Sequence, residues 1–242
     1  PAWFTLALTL PEVNADWLAG FAKGLANLAT AHNIALIGGD TTRGPLSITI
    51  QVHGHVDAEQ ALRRDGAKVG DSIYVSGTLG DAGAGLKLKQ SQLKNKSGTA
   101  TDVIFLQQRL DKPTPRVALG QSLLGRANAA IDISDGLVAD LNHILEKSNV
   151  GAQINLDVLP ISTELTQAVG REEAKKLALY SGDDYELCFT VSPEKDSELV
   201  NKIKDTYTKV GTITDDNNIV FIKSGQEIEL TGAGYEHFST ES

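Results

Sequence analysis

Three short segments place carboxylates beside glycines where an apolar run gives way to a turn. In Gly38-Gly39-Asp40-Thr41-Thr42 the glycines let backbone N–H groups approach an anion closely. Asp40 in that segment has the chemistry to ligate a cation that bridges phosphates. Asp132-Ile133-Ser134-Asp135-Gly136 gathers several oxygens within four residues, with Asp132 and Ser134 on one side of an extended backbone, a pattern suited to a hard cation such as Mg²⁺. Two carboxylates at the end of an apolar strand repel unless positive charge sits beside them. The third segment, Ser181-Gly182-Asp183-Asp184-Tyr185-Glu186-Leu187, again leads carboxylates into an apolar stretch. Each has a plainer reading: a strand-to-loop turn at Asp40, a helix cap supplied by Ser134 or Asp135, and a charged turn at 181–187.

Other candidates carry less. The glycines from Gly77 to Gly85 lack the Lys-Ser/Thr of a phosphate loop and the spacing of a dinucleotide fingerprint, so close helix–strand packing explains them better. His53 and His55 share a strand face that reads as solvated rather than as a metal pair, and Cys188 between Leu187 and Phe189 reads as core. No nucleophile-elbow pattern is present. The inventory is one of aspartates and glycine turns without an activated base or nucleophile.

The elements that must hold these residues follow from periodicity. Residues 2–10 alternate as a strand ended by Pro11, and Asn14 caps a helix that presents Trp17, Leu18, Phe21, Leu25 and Leu28 at helical spacing. A short strand over 34–37 is expected to end in the Gly-Gly-Asp loop, and 46–56 alternates again as a strand. The apolar pattern lapses between Asp57 and Asp71, which places a boundary between an N-terminal domain of 1–62 and a C-terminal domain of 63–242. Beyond it strands and helices interleave: strands near 72–76, 129–131, 152–156, 185–191, 207–213 and 219–222, with helices over 102–110 and 115–124 and another beginning near Leu137. The fold class is α/β (α+β). The 242 residues carry 22 Lys+Arg and 31 Asp+Glu, a formal charge of −9, which argues against a duplex-DNA binder but not against nucleotides held through a metal. No apolar run approaches the ~20 residues of a membrane span, and a single cysteine forbids an internal disulfide, so we expect a cytoplasmic protein. The absence of Met and the strand-like opening Pro1-Ala2-Trp3-Phe4 lead us to expect that an N-terminal segment is missing.

Gly39-Asp40-Thr41-Thr42, Arg63-Arg64-Asp65-Gly66-Ala67 with Gly70-Asp71, Val75 to Asp81, Arg109-Leu110, Ile133 to Leu137, Gly182 to Leu187 and Gly234-Tyr235-Glu236-His237-Phe238 stand in one order. That order resembles bacterial thiamine-monophosphate kinases, a family within the aminoimidazole ribonucleotide synthetase-like superfamily, over essentially the whole chain. The resemblance implies a two-domain fold of mixed sheets flanked by helices. It implies transfer of the ATP γ-phosphoryl group to thiamine phosphate with Mg²⁺, and a homodimer formed through the N-terminal domain's sheet. It implies Gly39, Asp40, Arg64 and Ser134 at ATP, Asp40, Asp132 and Asp135 as metal ligands, and Asp183 and Tyr235 at thiamine phosphate, with Phe238 in reserve. Asp183 departs from the family's usual Glu. The other functions weighed are a sister ATP-dependent synthetase, amidine-forming or selenophosphate-forming, and an inactive nucleotide-binding protein. No nucleic-acid or membrane partner is expected.

Overall fold

The alternation of Phe4, Leu6, Leu8 and Leu10 produces β1 (Trp3–Leu10), whose apolar side meets α1 (Ala15–Ala31). This is a computed structural model that describes residues 1–91, 98–196 and 207–229, in two units, Pro1–Ala61 and Leu62–Ser242. The expected contacts Tyr235 and Phe238 lie outside the described residues. Asn14 caps α1 by accepting from the Trp17 amide at 3.0 Å, as its sequence position suggests. The chain returns as β2 (Ala35–Arg43), parallel to β1, and β3 (Ser47–His53) pairs antiparallel on the other side, giving the order β2-β1-β3. Leu18, Phe21 and Leu25 of α1 face Phe4, Leu6, Leu8 and Leu36 across a cavity of about 490 Å³. The expectation that the strand stops at residue 37 is wrong: β2 runs through Gly38-Gly39-Asp40-Thr41-Thr42, because pairing with β1 outweighs the turn preference of glycine. His53 and His55 both pack near the Trp3 ring, at centroid distances of 6.3 and 5.0 Å.

The larger unit is built on a seven-stranded sheet. Its strands are β4 (Ser72–Ser76), β5 (Ala127–Ile133), β6 (Gly151–Asn155), β7 (Glu186–Val191), β8 (Tyr207–Thr214), β9 (Ile219–Lys223) and β10 (Gln226–Ile228). Their order is β10-β9-β6-β8-β4-β7-β5, with β6 and β9 parallel and every other pair antiparallel. Strand alternation sends Ile73, Val75, Cys188 and Ile133 into one core with α5 (Leu137–Ser148) and Leu179 of α7 (Arg171–Tyr180). Tyr74, Phe189 and Val191 point the other way, onto Leu119 and Leu123 of α4 (Val117–Leu123). A third apolar group joins α2 (Asp81–Lys89), α3 (Ala100–Asp111), α6 (Thr163–Val169) and α7. Cys188 is a core residue, and burial pushes its thiol up to about 12. The unit thus combines a mixed sheet with flanking helices, as the motif order implies.

Candidate active site

In the smaller unit, a β-bulge sets the direction of Asp40. Phe4 pairs with Leu36 and Thr5 with Gly38, so Ile37 is an extra residue on β2. In an unbulged strand with every residue paired in turn, Asp40 would share a face with Leu36. With the bulge Asp40 pairs with Ala7 and Thr42 with Thr9, on the side away from α1. A 3.1 Å hydrogen bond between the Thr9 and Thr42 hydroxyls verifies that these two share a face. Gly39 makes the crossing feasible: its φ is +150°, and a Cβ there would lie 1.9 Å from the Leu6 carbonyl oxygen. The Asp40 carboxylate is exposed and accepts from the Thr41 amide at 2.8 Å.

In the larger unit, Asp132 is an exposed residue of β5, and Ser134 and Asp135 form the half-buried turn into α5. Neither caps that helix by side chain, since the N-cap is Gly136, which has none to offer. The turn is instead held from within. Buried Asp140, in the first turn of α5, accepts from the Ser134 and Asp135 amides through one oxygen, both at 2.9 Å. Burial raises the Asp140 pKa above the ordinary carboxylate value, opposed by those two amides and reinforced by the negative charges of Asp135 and Asp132.

The 181–185 segment is fastened to the same turn by backbone. The Asp183 amide donates to the Ser134 carbonyl and the Tyr185 amide to the Ile133 carbonyl, each at 2.9 Å. These bonds require Asp183 (φ +69°) and Tyr185 (φ +50°) in the left-handed region, and Gly182 fits because its missing Cβ would lie 2.1 Å from the Ser134 carbonyl oxygen. Asp183 is half-buried beside Ser134, and Asp184, which sequence reasoning placed in a charged turn, is buried. Its two oxygens accept from the Gly80 and Ala82 amides at 2.6 and 3.1 Å, at the start of α2. Burial pushes the Asp184 carboxyl up to about 7 against those hydrogen bonds, with Asp81 pushing in the same direction. The glycines of 77–85 serve packing, as read from sequence: a Cβ at Gly80 would lie 2.7 Å from the Ala178 nitrogen, and one at Gly85 2.4 Å from the Leu106 oxygen.

A cleft of about 730 Å³ opens beside β5, and both Arg64 and Asp132 line it. Val117, Gly120, Ala130, Ile131 and Leu187 give it apolar walls, and Arg63, Arg116 and Lys147 add positive charge. Arg116 is fixed by Glu186, which is fully buried at the start of β7. Its Nε and Nη2 donate to the two oxygens of that carboxylate at 2.6 and 2.5 Å. Arg109 donates to Glu186 at 2.9 Å, and so does the Ser76 hydroxyl at 2.5 Å. Arg116 and Asp140 were not singled out from sequence, and Glu186 was named only within the 181–187 segment, without a role of its own. A charged residue opening a strand has no local signature of partners 70 or 110 positions away, and Asp140, five and six positions from its partner amides, has the pattern of an ordinary acid in a first helical turn.

The predicted ligands offer hard oxygen donors of the kind Mg²⁺ takes: two carboxylates on one turn with a serine between them, and Asp40 on the smaller unit. Among the described residues no three His, Cys, Asp or Glu side chains converge as a ready-made metal cluster. The turn therefore suits a metal held jointly with phosphate oxygens or water better than an all-protein cage.

Comparison with known proteins places this arrangement. Residues 1–56 match the AIR synthase related protein, N-terminal domain, and residues 68–224 the AIR synthase related protein, C-terminal domain. Thiamine-monophosphate kinase of Escherichia coli (strain K12) is 46% identical over 244 residues, spanning 99% of this chain and 74% of that protein. The crystal structure of thiamine-monophosphate kinase from Stenotrophomonas maltophilia K279a superposes with a TM-score of 0.85 at 47% identity, over 94% of this chain and 73% of that one. AaThiL, solved in complex with AMPPCP and TMP, superposes with a TM-score of 0.80 at 30% identity, over 98% of this chain and 74% of that one. The chain spans about three quarters of the length of these relatives. It belongs to the thiamine-monophosphate kinase family, among the AIR synthase related proteins.

Proposed function

We propose that the protein transfers the γ-phosphoryl group of ATP directly to the phosphate of thiamine phosphate, giving thiamine diphosphate and ADP. The observation that carries this reading is the 46% identity to a thiamine-monophosphate kinase across 99% of the chain, supported by a relative that binds AMPPCP and TMP. The chemistry agrees with the residues. The attacking atom is a phosphate oxygen that is already anionic at neutral pH, so no general base is required. It bonds to the γ-phosphorus as the bond from that phosphorus to the β–γ bridging oxygen breaks, and ADP leaves with that electron pair. The obstacle is bringing two polyanions together, which calls for positive charge and in-line placement.

Asp40, Asp132 and Asp135 would hold Mg²⁺, which when bound supplies neutralisation of phosphate charge. In our reading Gly39, Asp40 and Ser134 border ATP, and Arg64 offers its guanidinium to the phosphates. Asp183 and Tyr235 take thiamine phosphate, a carboxylate for the thiazolium or the amine and an aromatic face for a ring. We also propose a cytoplasmic homodimer joined through the smaller unit's sheet, on whose β3 Ile48, Ile50 and Val52 alternate and remain exposed. Among the described residues no helix is long and apolar enough to cross a membrane.

The test is to supply the intact enzyme with Mg-ATP and thiamine phosphate. Thiamine diphosphate and ADP should form in equal amounts, from a protein that sediments as a dimer, without a phosphorylated enzyme. Turnover of a different acceptor would point to a sister synthetase reaction, and turnover of none to a nucleotide-binding protein. A kinetically competent phospho-enzyme would overturn direct transfer.

A further inference from the structure

We propose that Arg116 is a nucleotide-phosphate contact of the 730 Å³ cleft and that buried Glu186 is the positioning residue that aims it. The proposal rests on the nucleotide reading above and extends it to two residues outside the motif aspartates. The cations around this cleft differ in how they are held. Arg63 pairs with Asp65 near the surface, its side chain 70% exposed, and Arg64 and Lys147 are exposed as well. Arg116 keeps 28% of its side chain exposed on the cleft wall, yet two of its nitrogens are gripped by a carboxylate with no exposure at all. The planar guanidinium matches a carboxylate at two points, so its orientation is set before any ligand arrives. A cation ordered in advance loses little freedom when an anion binds, and contributes correspondingly more to affinity than a mobile one.

The grip is itself braced from two elements. Ser76 at the end of β4 donates to the Glu186 carboxylate and accepts from the Leu187 amide at 2.9 Å. Arg109 of α3 donates to it and lies 3.6 Å from Asp81. Gly77, at φ +56°, carries the chain over the pair: a Cβ there would sit 2.2 Å from a Glu186 oxygen and 2.8 Å from Arg116 Nη2. Asp132 lines the same cleft as Arg116, so a fixed guanidinium and an exposed carboxylate share one wall. That combination suits a polyphosphate that arrives with its own divalent cation.

The experiment measures binding of the magnesium complex of a non-hydrolysable ATP analogue by calorimetry, with steady-state kinetics on the intact enzyme. Arg116→Ala should weaken analogue binding and raise KM for ATP about tenfold or more, the loss expected for one charge-assisted contact. KM for thiamine phosphate should stay within about twofold, as expected where only nucleotide binding is lost. Glu186→Gln should weaken the analogue as well, and the double variant should bind it no more weakly than Arg116→Ala alone, because Glu186 acts through Arg116. If Glu186→Gln does not fold, Arg116→Lys takes its place: it keeps the charge, drops the two-point grip, and should lose at least about threefold. Wild-type affinity in Arg116→Ala, wild-type affinity in Arg116→Lys, or additive losses in the double variant would each overturn the proposal. Failure of the unaltered enzyme to bind the analogue would instead overturn the nucleotide reading beneath it.

Discussion

Asp40 owes its direction to a count of residues, whereas the Asp132–Asp135 turn owes its shape to groups that reach in from other elements. On the small sheet Asp40 shares its face with half-buried Thr5 and Thr9 and no fully buried residue, and the bulge at Ile37 decides which way it faces. In the larger unit the two-carboxylate turn is tied by Asp140 from α5 and by backbone from the 181–185 segment, with Asp184 anchoring that segment to α2. A carboxylate placed by register is sensitive to backbone and Cβ changes and indifferent to its neighbours' charge. One placed by buried polar clamps is sensitive to single side chains and to pH.

The sharpest challenge to this contrast removes the carboxylates themselves. Asp132→Asn or Asp135→Asn should lower kcat about 10²-fold or more with the fold intact, since each neutralises charge that develops during transfer. Near-normal rates at saturating Mg²⁺ would leave the turn a purely structural device.

Next comes Gly39→Ala. A methyl group 1.9 Å from the Leu6 carbonyl oxygen forces β1 and β2 apart, at a cost of about 2 kcal/mol or more, read as faster amide exchange in those strands. Unchanged protection would show that the bulge does not depend on glycine.

In the larger unit, Asp140→Ala strips two amides of their acceptor and should cost about 2 kcal/mol of stability together with turnover. Asp140→Asn keeps an oxygen in place and should retain most of both. Equal damage from the two would mean that charge, rather than the acceptor, holds the turn.

The last contrast is a matter of pH. Asp184, at about 7 in the folded protein against about 3.9 in an unfolded chain, binds its proton more tightly when folded. Its contribution to stability is therefore greatest below pH about 4 and diminishes as pH rises toward 7. Thermal melts from pH 4 to 8 should show this slope in the wild type and lose it in Asp184→Asn. At the acid end that variant should melt lower, because its amide nitrogen replaces one of the two oxygens that accept from the Gly80 and Ala82 amides. An identical slope in both proteins would remove Asp184 from the account.

Local pattern carried much of this architecture. The alternation in β1 and β3, the Asn14 cap and the apolar stripe of α5 are written in consecutive residues, and so are the aspartate turns. The continuation of β2 past residue 37 was hidden because Gly-Gly-Asp has the composition of a turn, and only its partner strand makes it extended. Asp140 looks like an ordinary acid complementing a helix dipole, and Glu186 like the polar first residue of a strand. Glu186 meets partners that only the fold brings close, so no short window of sequence contains its meaning, whereas Asp140's partner amides lie five and six positions away and only the backbone shape of the turn reveals them. The boundaries of α6 and α7, and the short β10, were unresolved for a related reason: their apolar residues belong to cores completed by distant elements.

Ile37 makes β2 a strand with two phases. Upstream of it one set of positions faces the helix, and downstream the other set does, so the stretch from Ala35 to Thr42 works as a measured length. Straightening the strand with every residue kept would turn Asp40 toward α1 and Thr41 away from it, whereas deleting Ile37 would leave Asp40 opposite Ala7. Tolerance to change in this segment should therefore follow arithmetic more than chemistry: substitution or deletion of Ile37, whose side chain is largely exposed, is mild, and an insertion between it and Asp40 is not.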